Sequence, residues 1–115
     1  MPSVRDRLLS HRSKIHPVTV PGVDGEFYLR VMTLGETLEV SKIAETREKE
    51  HKSNLEPLLV KTLCEADGTR LFKDGEEDVL TAQVEFPIIR FLYDEAVKIN
   101  EKKKTLPELA DAAKN

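Results

Sequence analysis

The chain has 115 residues, a formal net charge of −3, 39% hydrophobic and 34% charged residues, and no tryptophan. That length supports one hydrophobic core and little more, and the net negative charge offers no general attraction to a phosphate backbone. Aromatic residues make up only 5%, which excludes extended base-stacking platforms and leaves the core to Leu, Val and Ile.

The first fourteen residues read as an arm. Ser3 can cap a short helix through Val4, Leu8 and Leu9. A polar connector follows to Lys14. Arg5 and Arg7 precede no apolar run, so this is not a secretory signal. No apolar stretch approaches the ~20 residues needed to span a bilayer.

Residues 15–20 and 26–31 are the predicted strands, and residues 15–104 the single globular domain. The first alternates Ile15, Val18 and Val20 with polar or Pro residues. The second sets Phe27, Leu29 and Val31 on one face and Tyr28 and Arg30 on the other. Pro21-Gly22-Val23-Asp24-Gly25 supplies a turn between them, so a hairpin is expected. Such a hairpin must lie on helices or pair through its edge with another chain.

Thr33-Leu34-Gly35-Glu36 is a capping-box pattern. The helix it opens is expected to turn Leu38, Val40, Ile43 and Ala44 inward. Its charged end, from Arg47 to Lys52, should project into solvent, supported by i,i+4 Glu–Lys pairs. Asn54 is the next cap candidate. Leu55, Leu58, Leu59, Leu63 and Ala66 then describe the most apolar helix, stopped by Asp67-Gly68. Leu71 or Phe72 should tuck beneath the helices.

A further helix is expected from Asp74 or Gly75, with Glu76, Glu77 and Asp78 at the positive end of its dipole and Val79, Leu80 and Val84 inside. Phe86-Pro87 breaks and restarts the chain. Ile88, Phe91, Leu92, Ala96 and Ile99 mark the last core helix, closed by Lys98 and Lys102 to Lys104. Residues 105–115 read as a flexible tail. The expected fold is α+β and mainly α-helical: an N-terminal β-hairpin packed on a small bundle of three to four helices.

Catalytic and metal chemistry finds no pattern to rest on. His11, His16 and His51 fall in three segments without ligand spacing for zinc. The acidic stretch from Asp67 to Asp78 lacks the alternating oxygen ligands of a calcium loop, and the glycines do not form a phosphate cradle. The one cysteine, Cys64, lies in an apolar run and reads as a small buried hydrophobe. The absence of a disulfide pair fits a reducing compartment. The reading is a non-enzyme without cofactor or metal and without nucleic-acid or membrane partners.

Three segments taken in order resemble the tail assembly chaperones of long, non-contractile-tailed bacteriophages. The first is the proline-glycine hairpin feeding Phe27-Tyr28-Leu29-Arg30-Val31-Met32-Thr33-Leu34-Gly35-Glu36. The second is Leu63-Cys64-Glu65-Ala66-Asp67-Gly68-Thr69-Arg70-Leu71-Phe72, similar to that family's helix end, Asp-Gly and Leu-Phe pair. The third is an acidic short helix followed by a final apolar helix, here residues 76–84 and 87–100. The match covers roughly residues 18–100.

The resemblance implies a role in the infected cell's cytoplasm. The protein would bind the tape-measure protein and the major tail tube protein during tail morphogenesis and be absent from the finished virion. It also implies a longer product made by ribosomal frameshifting, for which the codons of Ala113-Lys114-Asn115 could hold the slippery run. Self-association stays open, as do a minor structural tail protein and a bacterial cytosolic protein-binding adaptor. Leu8, Leu9, Tyr28 and Arg30 are the candidate partner-binding residues: an apolar patch on the arm, and a strand face whose residue types are favoured at interface centres.

Overall fold

The computed structural model of the protein describes residues 3–101. Helix α1, Val4–Ser10, starts where Ser3 accepts a 3.1 Å hydrogen bond from the Asp6 amide, and it buries none of its side chains. Strands β1, His16–Val18, and β2, Phe27–Leu29, pair antiparallel with His16 opposite Leu29 and Val18 opposite Phe27. Gly22 and Gly25 take φ of 82° and 85° in the connecting turn, a region open to glycine without steric penalty. The hairpin is the expected one with shorter strands.

Helix α2, Leu34–Lys49, opens with the capping box complete: the Glu36 amide donates to Thr33 Oγ1, and the Thr33 amide donates back to Glu36 Oε1. Helices α3, Glu56–Thr62, α4, Glu77–Gln83, and α5, Phe86–Glu101, complete the bundle. The fold is α+β and mainly helical, with the small sheet and the helices α2, α4 and α5 gathered about α3. Leu29, Leu58, Leu59, Val60, Leu80 and Leu92 form the heart of one core. Phe72 packs against it while Leu71 stays exposed.

Several expectations are overturned. The apolar helix does not continue to Ala66 but stops at Thr62. Leu63–Cys64 becomes strand β3, pairing with β2 through Leu29–Leu63 and Tyr28–Cys64. The free edge of β2 needs hydrogen-bond partners, and an extended segment supplies them where another helical turn could not. Asp67-Gly68 is therefore not a helix stop. It turns the chain back so that Glu65 donates to the Thr69 carbonyl at 2.8 Å and Arg70 bridges Cys64, with Gly68 at φ 92°.

The charged end of α2 is exposed from Glu48 to Lys52, with Glu45 and Lys49 paired at 3.7 Å. Arg47 departs from the expectation: His51, at φ 60°, reverses the chain, and Arg47 is folded inward to 6% exposure. Its guanidinium donates to the Ser53 carbonyl at 2.7 Å and to Asp78 at 3.0 Å, with the Glu56 carboxylate 3.7 Å away. A buried cation is tolerated only with such partners, and all of them lie outside the helix that carries it.

The inner face of α2 differs as well, since Leu38 is 62% exposed, while Val40, Ile43 and Ala44 are partly buried. Asn54 is not a cap. It donates to Glu48 at 2.6 Å, and Leu55 holds the N-cap position of α3 without a side-chain bond. In the next helix the start lies at Glu77, beyond a left-handed Gly75, and Val79 is half-exposed. Lys102 to Lys104 and the predicted tail fall outside the described residues.

Leu59 is fully buried, so Leu59→Ala is expected to lower stability by about 2–5 kcal/mol. Leu38→Ala should change it by less than about 0.5 kcal/mol. Urea unfolding of the two variants checks both, and equal losses would show that the inner face of α2 is wrongly assigned.

Candidate protein-binding groove

The segment between β2 and α2 carries the geometry that makes a site. Arg30 leaves the sheet pointing at the α2 cap. It grips Glu36 with two nitrogens, at 2.9 and 3.1 Å, and its Nη1 also donates to the Lys61 carbonyl at the end of α3. The Arg30 amide donates to the next carbonyl, that of Thr62, at 3.0 Å. A helix end leaves its last carbonyls unsatisfied, and here one arginine serves two of them. Met32 is held by its own amide, which donates to Asn100 Oδ1 on α5 at 2.8 Å. The chain from Arg30 to Thr33 is thus anchored to α2, α3 and α5.

Outward from this anchored segment lies a groove of about 480 Å³, lined by Leu8, Leu9, Arg12, Arg30, Met32 and Leu34, with His11 and Thr33 among its other residues. It meets a second groove of about 400 Å³ at Val31 and Met32, running toward Val40, Tyr93 and Val97. Leu8 is 76% exposed, Leu9 57% and Leu34 75%. This is a shallow channel whose α1 wall is made of exposed side chains, since α1 buries none of them.

Of the four predicted partner-binding residues, three come together: Leu8 and Leu9 on α1, and Arg30 beneath them. Arg30 is committed to Glu36 and the end of α3. Tyr28 is separate. It sits half-buried in the middle of the sheet, opposite Pro17 on one side and Cys64 on the other. Met32 and Leu34 were not foreseen as site residues. The place of Leu34 directly after the capping threonine, at the exposed start of α2, was the available signal.

The hairpin edge is poorly suited to strand addition. β1 is the outer strand and carries Pro17 at its centre, which has no N–H to offer and blunts an edge. On the far side of the sheet, Arg70 already bridges β3.

Titratable groups beside the groove and around α3 are held in their charged forms. Burial would raise the Glu36 carboxyl, but hydrogen bonds from Arg30 and Thr33 and the Arg30 charge outweigh it and hold it below the usual value. Glu56 follows the same pattern: burial opposes ionisation, and hydroxyl hydrogen bonds, that of Thr81 among them, with the Arg47 charge prevail. Hydrogen bonds from Lys61 and Arg70 lower Asp74, and the Arg47 hydrogen bond and Lys52 charge lower Asp78. Lys61, 3% exposed, is disfavoured as a cation by burial, yet Asp74 and Glu39 at 2.8 Å raise its pKa. Burial pushes the Cys64 thiol up, away from thiolate chemistry.

Among the described residues, no group of three His, Cys, Asp or Glu is placed to hold a metal, and no helix is long and apolar enough to cross a membrane. No protein-family model, curated protein or solved structure matches the chain.

Two outcomes are expected. Arg30→Glu should destabilise the fold by on the order of 2–3 kcal/mol, since it places a carboxylate against Glu36 and frees the Lys61 carbonyl. Leu8→Asp with Leu9→Asp should leave the thermal melt within about 0.5 kcal/mol of the parent. A melt lowered by the leucine pair would show that α1 is packed and not free.

Stability should also fall on the acid side. The depressed carboxyls contribute fully above their unfolded values of about 4, and that contribution is lost as pH drops through their lower folded values. Lys61 runs the other way: its contribution holds below about pH 10.4 and is lost as pH rises through its raised folded value. Urea midpoints measured from pH 2 to 11 should form a plateau flanked by these two declines. A maximum at acid pH would contradict the ion-pair network.

Proposed function

We propose that the protein is a phage tail assembly chaperone acting in the host cytoplasm. In this reading it binds the tape-measure and tail tube proteins during tail morphogenesis and is left out of the finished particle. The observation that carries the reading is the exposed apolar channel between α1 and the start of α2. A holding factor needs apolar surface that a partner covers reversibly, and α1 offers it on an element whose movement leaves the core intact.

The rigid side of the channel supports the same role. Arg30, Met32 and Thr33 are pinned by bonds to Glu36, Lys61 and Asn100, so the partner would meet one preorganised wall and order only the other. That limits the entropy lost on binding while keeping the complex reversible.

Co-expression with a cognate tail tube protein should keep that protein soluble and unpolymerised, and Leu8→Asp with Leu9→Asp should abolish the effect. Tube polymerisation unchanged across a range of chaperone ratios would remove the reading. Stoichiometric presence in purified virions, measured by mass spectrometry, would instead identify a minor structural tail protein.

A further inference from the structure

We infer that the groove between α1 and α2 receives an amphipathic helical segment bearing carboxylates beside its apolar positions. This deepens the holding role proposed above and rests on it for the use of the same groove.

The apolar part comes from two helical rows. Val4 and Leu8 lie one turn apart on α1, Leu34 and Leu38 one turn apart on α2, and all four are more than half exposed. Leu8 and Leu34 stand on opposite walls of one groove with Met32 at its floor. With Leu9 these make the groove's apolar lining, which suits the leucine-type stripe of a helix read at i, i+3, i+4 and i+7, while Val4 and Leu38 lie beyond that lining.

The charge comes from the arm. Residues 4–14 hold Arg5, Arg7, Arg12 and Lys14 against the single carboxylate of Asp6, in a chain whose net charge is −3. None of these four cations forms an ion pair with a carboxylate among the described residues, whereas Arg30, Arg47, Lys61 and Arg70 all do. Arg12 lines the groove, and its Nη1 is fixed by the Leu9 and His11 carbonyls. Arg12, without a carboxylate partner among the described residues, therefore lines the channel, and Arg5, Arg7 and Lys14 lie on the same arm of an otherwise acidic molecule. Carboxylates flanking a partner's apolar stripe would meet the arm, and the acidic remainder would repel them from other faces.

Two other occupants fit less well. A two-fold dimer through this surface would set one cationic arm against another. An anionic bilayer would find a concave channel on a seven-residue helix, backed by a domain of net negative charge.

The test is amide NMR on the full 13.0 kDa chain, titrated with a synthetic helix of roughly 16 residues. It carries leucines at i, i+3, i+4 and i+7 with glutamates beside them, and its twin carries lysines in place of the glutamates. The glutamate peptide should shift amides of α1 and of the Met32 to Leu38 stretch. It should bind about tenfold or more tighter than the lysine twin, and Arg7→Glu with Arg12→Glu should reverse that order.

Equal binding of the twins, or shifts confined to other surfaces, would overturn the inference. So would stronger engagement of phosphatidylglycerol vesicles by the same residues, or concentration-dependent shifts at the same amides without peptide. Contacts from Leu106 or Leu109 to Leu8 or Leu34 would show the chain's own C-terminal segment in the groove, and would also overturn it. Tail-protein binding without peptide binding would refute this inference alone, and peptide binding without tail-protein binding would refute the chaperone reading.

Discussion

All seven residues of α3 are buried, and two of them are Glu56 and Lys61. A helix enclosed on every side must find partners within the protein for its charges and for its terminal carbonyls. The rest of the structure is arranged around that demand. Near its start, Arg47 comes from α2 and Thr81 from α4 to the Glu56 carboxylate. Near its end, Glu39 and Asp74 reach Lys61, each at 2.8 Å. Arg70 donates to the Val60 carbonyl, while Arg30 serves those of Lys61 and Thr62. Cations at a helix C-terminus are also favoured by its dipole.

These bonds do more than neutralise. They fix where the sheet, α2 and the loop before α4 sit relative to one another, because each donor or acceptor comes from a different element. Arg30 is the clearest case: one side chain joins β2, the α2 cap and the end of α3. The groove floor inherits its rigidity from that junction. The proposed binding surface and the core are consequently joined at Arg30, while α1 buries none of its side chains.

The same logic sorts the basic residues into two populations. Those within the domain that lie near α3 are paired with carboxylates and act as structural links. Those on the arm pair with no carboxylate among the described residues. Composition alone reports only a mildly acidic chain, and that average conceals the division.

Local signals in the sequence determined a good deal. The Ser3 cap, the hairpin turn, the Thr33–Glu36 capping box and the apolar period of α5 each depend on contacts within a few residues, and each appears where its pattern predicts. Leu8 and Leu9 stood out as an apolar patch, but the sequence left open docking on the domain or on a partner, and only the fold leaves them exposed. Tertiary structure alone decided the rest. Leu63–Cys64 leaves the helix because the edge of β2, more than thirty residues earlier, needs partners. Arg47 turns inward because Ser53, Glu56 and Asp78 await it, and Leu38 faces out while Val40, Ile43 and Ala44 of the same expected face are partly buried. Arg30, read as a surface contact, becomes a brace through a carbonyl on another helix. Hydrogen bonds and ion pairs between distant segments leave no period in the sequence, so the strand switch and the buried charges became visible only when the chain was folded.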